Sequence, residues 1–476
     1  MIFLSHKNTR APQKAQAGQL LLLVLIFTSV FLVIVSSFIG SVISQARVVD
    51  VRFEQQRATE IAEAGLNYYK WYLSHFPGDT SGDGVSTVFF DQVTGEAIGE
   101  YELDISTNSY CGVISSLEVQ STGFTYSNPD ARAIISATYK RPTVAEFSFI
   151  TNVATWYGDT RVITGPVHGN QGLKMDGFHN SRVGSGQTTW SCDSGFGCSP
   201  TLPNAPGVHT ESGNANPGLF EVGVDPIDFL GLTIDLAQMR TSAQADGIYF
   251  GPTSGFGYRA IFQNDGTVDV FRVTNTPTYT ARSDAEGVHT DERNVIFGQT
   301  YLGTRTIDPL CPVLFFQDKL WIEGEIDQKV AVAAGLNTSN VQNNIVLNGN
   351  LTYEAGTNAG LVAIAEDDID IGFVVPNNMI ANGIFIAQNG RFGRNHYDAA
   401  NFSTFYDQFV SRDSLTRLGS VVSNGRVGTE WSSGGVHTSG FRSRITSFDR
   451  DQVDDPPPLT PETNDVYELQ DWRQEG

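Results

Sequence analysis

The pattern of apolar and polar positions changes character along this chain, and each change marks an element. Residues 20–43 form an uncharged, mostly apolar run. At about 1.5 Å of rise per residue, that run is long enough to cross a bilayer as a helix. From Arg47 the apolar positions thin to a stripe, Val48, Val51, Ile61, Leu66, Tyr69 and Leu73, set against Arg52, Glu54, Arg57, Glu60 and Lys70. Such a stripe predicts an amphipathic helix packed on the protein's own sheet. No proline or strong turn signal intervenes before Pro77, so membrane anchor and first soluble helix are expected as one rod over 19–76.

The period then switches to two. Val88, Tyr101, Leu103, Ile105, Leu117, Val119, Ile134 and Tyr139 fall in alternating segments between 86 and 142, which predicts three or four strands in hairpin order. Following a long helix, they make an antiparallel sheet with the helix on one face, a head domain over 77–145. Residues 146–310 are rich in Gly, Asn and Trp with a weaker pattern. The strand-like runs 258–262 and 267–273 flank Gln263, Asn264, Asp265 and Gly266, a hairpin signal, and 235–244 is the one helix-like interval, so this region is expected as a β-rich insert. Over 311–448 short apolar runs recur around Ile322, Val346, Val362, Ile371, Ile384 and Val421, with Asn-Gly or Asp-rich turns and no helices between them. A lone strand cannot bury its apolar face, so such runs predict a stacked solenoid, a parallel β-helix, with an antiparallel β-sandwich as the alternative. Residues 449–476 read as an acidic tail with an extended polyproline stretch at 456–458. The fold class is α+β: a long transmembrane and amphipathic helix on an antiparallel sheet, followed by a large β-rich body.

The N-terminus carries a resemblance. A basic leader, residues 1–18, holds Lys7, Arg10 and Lys14 and ends in Gly18 directly before the apolar run, and the helix leads into Ala62, Glu63, Ala64, Gly65 and Leu66. On these residues the stretch 10–76 resembles type IV pilins and pseudopilins, PilX-type minor pilins in particular. The resemblance implies a pilin-like head sheet, cleavage between Gly18 and Gln19 by a prepilin peptidase, and partnership with other pilin-like subunits through the helix. Two positions depart from the family pattern. Gln19 stands where major pilins favour Phe or Met. Leu23 stands at the fifth mature position, where most pilins carry a glutamate that neutralises a neighbour's N-terminal amine. A carboxylate is tolerated in hydrocarbon only with a partner, so its replacement by Leu implies a minor, tip-type subunit rather than a shaft subunit.

Composition adds direction. Hydrophobic residues at 40% and charged residues at 17% favour folded structure over disorder, and the net charge of -22 argues against nucleic acid or anionic lipid as direct partners of the body. Basic residues before the anchor and an acidic mass after it place the body outside the cytoplasm, a single-pass topology. Cysteines suit that compartment: Cys192 and Cys198 bracket a short loop that a local disulfide would close, while Cys111 and Cys311 either pair or stay free. Zinc is the rival for the close pair, but no Cys-x-x-Cys supports it.

Candidate chemistry is sparse. Asp79, Ser81 and Asp83, with Gly84 following, have the spacing of a calcium loop, but the twelfth place is Phe90, and an acidic turn after a helix is the plainer reading. No cofactor is otherwise indicated. Gly-Val-His-Thr occurs at 207, 287 and 435 without further ligand spacing. Glu366, Asp367, Asp368 and Asp370 would suit paired carboxylates acting on a sugar, or solvated turn acids. Serine-hydrolase, zinc-protease and phosphate-loop motifs lack a supporting context. Two functions follow: a non-enzymatic, pilin-like subunit displaying its body for assembly, contact or adhesion, or a membrane-anchored extracellular β-helix protein that binds or cleaves polysaccharide.

Overall fold

The computed structural model describes residues 16–82, 84–232, 235–291, 293–338, 343–401 and 404–475. A single helix, α1, runs without a break from Gln16 to His75. Its second half lies on a head sheet of β1 (Val85–Phe90), β2 (Ala97–Tyr110), β3 (Val113–Thr125) and β4 (Arg132–Lys140), paired antiparallel in chain order. The alternating pattern in β3 buries Leu117 and Val119 against Ile61, Leu66, Tyr69 and Leu73 of α1. A fifth strand closes this sheet: Glu468–Glu475 pairs antiparallel with β4. Residues read as an acidic tail therefore return to the head, and everything between β4 and Glu468 is an excursion from it.

That excursion is a β-rich body dominated by parallel pairing. Ten strands form one sheet in the order Phe220–Val222, Val183–Ser185, Val167–Gly169, Phe149–Thr151, Val421–Ser423, Ile384–Ala387, Gly360–Ala365, Lys329–Ala334, Val313–Phe316 and Ile248–Phe250. Every neighbouring pair in it is parallel. Among the described residues, a six-, a seven- and a three-stranded sheet and two two-stranded ones make up the rest of the body. The expected division near residue 310 is not a break in the pairing, since Val313–Phe316 bonds to Ile248–Phe250 on one side and to Lys329–Ala334 on the other.

The spatial order is not the chain order. The chain enters mid-stack at Phe149–Thr151, steps to one end at Phe220–Val222, crosses to the far end at Ile248–Phe250, and steps back until Val421–Ser423 bonds to Phe149–Thr151. The crossing segment carries a helix, α2 (Leu236–Ala245), started by Asp235, whose carboxylate accepts from the N–H groups of Ala237 and Gln238. Leu232, Leu236, Met239 and Ala243 pack on one face of the ten-stranded sheet against Val313, Phe315, Ala331, Val362, Ile364 and Ile384. Leu314, Phe316, Val332, Leu361, Ala363 and Phe385 point the other way into the body's main core. Both faces are buried, which is why these strands read as unbroken apolar runs rather than alternating ones.

Candidate assembly helix and displayed surface

No charged residue occurs from Gln19 to Ala46, and the side chains there stand away from the fold: Leu20 is 69% exposed, Phe31 64% and Phe38 70%. Large apolar surface of that extent is not stable in water. The stretch needs hydrocarbon or other helices around it, and among the described residues α1 alone is long and apolar enough to cross a membrane. Leu23 is one of these exposed residues. Lys7, Arg10 and Lys14 of the leader lie outside the described residues, while Gly18 and Gln19 fall in the first turn of α1.

Where α1 meets the head sheet, small residues set the distance. Ala62 is fully buried, and a Cβ on Gly65 would lie 2.3 Å from Ser121 Oγ and 2.9 Å from Tyr101 Cδ2. From the sheet side, a Cβ on Gly123 would lie 2.3 Å from the Ala58 carbonyl oxygen and 2.5 Å from the Ala62 nitrogen. The segment 62–66 is thus a close-approach seam, with Glu63 on its exposed side. Above it Glu54 accepts hydrogen bonds from Thr125 Oγ1 at 2.5 Å and Ser127 Oγ at 2.6 Å. The Ser127 and Thr125 hydroxyls hold its carboxyl below the usual range.

Among the described residues, head and body are tied at three places. Cys111, at the β2–β3 turn, is disulfide-bonded to Cys311, with Cα atoms 4.5 Å apart, and its N–H donates to Leu310 O. Where the chain leaves and returns, Arg141 pairs with Glu462 at 2.8 Å and lies over the Tyr467 ring at 4.7 Å. Thr143 bridges Glu462, and Val144 N donates to Pro461 O. Lys140 Nζ donates to the carbonyls of Val453 and Asp454.

The remaining candidate residues have local partners. Cys192 and Cys198 are bonded, with Cα atoms 5.7 Å apart. Cys198, His209 and Glu211 gather ligand-type atoms within 4.8 Å of one another, but the disulfide leaves Cys198 no thiolate, and Lys174 Nζ already pairs with Glu211 at 2.8 Å. Asp79 accepts from Ser81 N at 2.9 Å and from the Tyr72 hydroxyl at 2.5 Å, the geometry of a side-chain-capped turn; Asp83 lies outside the described residues. The acidic cluster staples neighbouring strand turns: Glu366 accepts from Leu336 N and Asn343 Nδ2, Asp367 from Asn343 N, Asp368 from Arg391 N, and Asp370 pairs with Arg391 at 3.4 Å. Burial, with Asp370 alongside, pushes the Asp368 carboxyl up to about 6.

The three Gly-Val-His-Thr histidines share a feature that sequence spacing did not reveal, because each partner lies at a different offset. His209 Nε2 stands 4.0 Å from Glu211, His289 Nε2 3.3 Å from Glu286, and His437 Nδ1 3.3 Å from Glu430. At His437 the second ring nitrogen is also engaged: Nε2 lies 3.1 Å from Ser411 Oγ. Glu430 is held in turn by the Thr160 hydroxyl at 3.1 Å and by Arg444. The repeated tetrapeptide was the one signal that pointed here.

A shallow cleft of about 290 Å³ opens elsewhere on the body, lined by Arg259, Ile296, Phe297, Gln299, Asn348 and Val374. Arg259 and Asn348 both bond to Glu323, which fixes their orientation, and Phe297 is 56% exposed.

No protein-family model and no curated protein matches the chain. Among solved structures, the competence-associated pilin ComZ from Thermus thermophilus aligns over 89% of this chain and 98% of its own, at 14% identity and a TM-score of 0.31. That likeness is too distant to bear on what the chain does.

Proposed function

We propose that this chain is a structural, pilin-like minor subunit of a type IV pilus or related secretion filament, carrying an oversized extracellular body. The observation that carries the reading is the division of α1: one continuous helix, apolar and bare over its first half, and packed by a small-residue seam on an antiparallel sheet over its second. A helix built that way lies in hydrocarbon before assembly and among the helices of like subunits after it, while the sheet and body stay outside. In this reading the leader 1–18 is removed between Gly18 and Gln19, and Leu23, in place of a core carboxylate, suits a terminal position. The domains divide as anchor helix, head sheet completed by Glu468–Glu475, and one solenoid body of the parallel β-helix type spanning 149–447. Parallel strands recurring in register across three faces support that last assignment. The three ties between head and body suit a rigid display for assembly, contact or adhesion.

N-terminal sequencing of the mature chain from cells with and without a prepilin peptidase tests the reading. A start at Gln19 that needs the peptidase is expected; an intact Met1 in the membrane-inserted chain would sink it. A second reading, a membrane-anchored glycan binder, draws on the Arg259 cleft, where an exposed aromatic ring sits beside oriented amide and guanidinium donors, a lining suited to a sugar. Loss of glycan retention in Phe297→Ala, with filament incorporation unchanged, would favour adding that role. A calcium ion at Asp79, Ser81 and Asp83 remains a proposal that a calcium titration of the thermal midpoint tests.

A further inference from the structure

The geometry points to a serine nucleophile at Ser411, with His437 as its base and Glu430 as the residue that positions the base, able to hydrolyse small carboxylic esters at the body surface. Ser411 opens the strand Ser411–Leu418, which pairs parallel with Val436–Ser447, while Glu430 opens the short strand Glu430–Ser433 that pairs antiparallel with the same partner. Two hydrogen-bond distances define the relay: 3.1 Å from Ser411 Oγ to His437 Nε2, and 3.3 Å from His437 Nδ1 to Glu430 Oε1. A nucleophile within reach of a base, itself oriented by a third group, is the arrangement that activates a hydroxyl.

The roles follow from which atoms are committed. With Nδ1–H donating to the Glu430 carboxylate, Nε2 is left as an acceptor, so the Ser411 hydroxyl donates to it. Glu430 is itself fixed through its other oxygen by Thr160 and Arg444, which holds the imidazole in that tautomer. The other two histidines of the repeat lack this order. His289 Nδ1 meets only the Gly287 carbonyl at 3.2 Å, and His209 Nε2 has no hydrogen-bond partner. At His437 the two ring nitrogens are used by a hydroxyl and a carboxylate, the two groups an acyl transfer requires.

The surroundings fit a small acyl group. Ser432, Ser433, Gly434 and Gly435 beside His437 are exposed and short, Val436 is 68% exposed, and Ser411 is partly exposed. In the reaction Ser411 Oγ bonds to the ester carbon as its proton passes to Nε2, and the ester C–O bond breaks with the alcohol leaving with that proton. Water then attacks the acyl-serine, giving its proton to Nε2; Ser411 Oγ leaves with it and the acid is released. An O-acetyl ester is the simplest substrate of this class.

The test uses the full-length protein in detergent micelles, a fluorophosphonate probe and p-nitrophenyl acetate. Ser411 should carry the label in the folded chain, and Ser411→Ala, with an unchanged thermal midpoint, should lose both the label and ester hydrolysis above background. His437→Ala should slow labelling by about 100-fold or more. Glu430→Gln should leave Ser411 reactive but move the pH midpoint of labelling, which a structural role would not do. An unlabelled Ser411 in the folded chain, hydrolysis by Ser411→Ala equal to wild type, or labelling indifferent to His437→Ala would each overturn the proposal.

Discussion

Cys111 on the head sheet is covalently joined to Cys311 at the rim of the body, 200 residues further along the chain. A cross-link over so long a span removes much freedom from the unfolded chain, typically about 2–4 kcal/mol. Replacing both cysteines with serine should therefore lower the thermal midpoint and split unfolding into separate head and body transitions in calorimetry. Replacing Cys192 and Cys198 should leave head and body unfolding together. A single unshifted transition in the Cys111 and Cys311 variant would show that the chain connections alone lock the two parts.

The seam between α1 and the head sheet tolerates no added bulk. Gly123→Val places carbon against the backbone of Ala58 and Ala62, which can yield only if the helix moves off the sheet. A loss of about 3 kcal/mol is expected by chemical denaturation. Gly78→Ala, with nothing within 4 Å of its Cβ position, should change stability by less than about 0.5 kcal/mol.

Asp368 makes stability depend on pH in a defined direction. Its folded pKa, pushed up to about 6, lies above the unfolded value of about 3.9. Its stabilising contribution is therefore complete below about pH 4 and lost as pH rises through 6. Asp368→Asn keeps an acceptor for the Arg391 N–H but carries no charge. It should be more stable than wild type by about 1–2 kcal/mol at pH 7 and equal to it near pH 4. Denaturation curves at the two pH values decide this, and a variant weaker at pH 7 would refute it.

Arg417 is a cation in the body interior, 4% exposed, with the Thr446 hydroxyl as hydrogen-bond partner and the rings of Phe149 and Phe392 at 4.7 and 4.9 Å. Burial pushes its pKa down to about 9. An interior charge held this way is replaceable by an apolar side chain of similar length. Arg417→Met should be within about 1 kcal/mol of wild type or above it, whereas Arg417→Ala should lose about 2–3 kcal/mol through the space it leaves. Equal losses in both variants would mean that the charge itself is needed.

The parts of this fold legible in the sequence are those whose residues repeat with a period. Leu20 through Leu73 wrote the helix, and Leu117, Val119 and their neighbours wrote the head sheet, because one buried face enforces alternation. Val332, Val362 and Ile384 were visible as apolar runs, because both faces of their sheet are buried. The strands Phe149–Thr151, Val167–Gly169 and Val183–Ser185 were not, because three residues are too few to show a period. Nor could local pattern foretell that Glu468–Glu475 completes a sheet whose other strands ended at Lys140, a pairing set by return of the chain and not by propensity. At the candidate sites, the cysteines and Gly-Val-His-Thr stood out in the sequence, whereas the pairing of His437 with Ser411 and Glu430 depends on register between strands far apart in sequence.

Because Val421–Ser423 seats on Phe149–Thr151, the body cannot be finished by adding each new turn to the last. One edge of the earliest strand stays open while some 270 residues are made, and the head sheet waits longer still for its fifth strand. Pairing at such separation is slow to form and leaves unpaired edges exposed meanwhile. That interval is the time in which a chaperone, or a wrong neighbour, meets this chain.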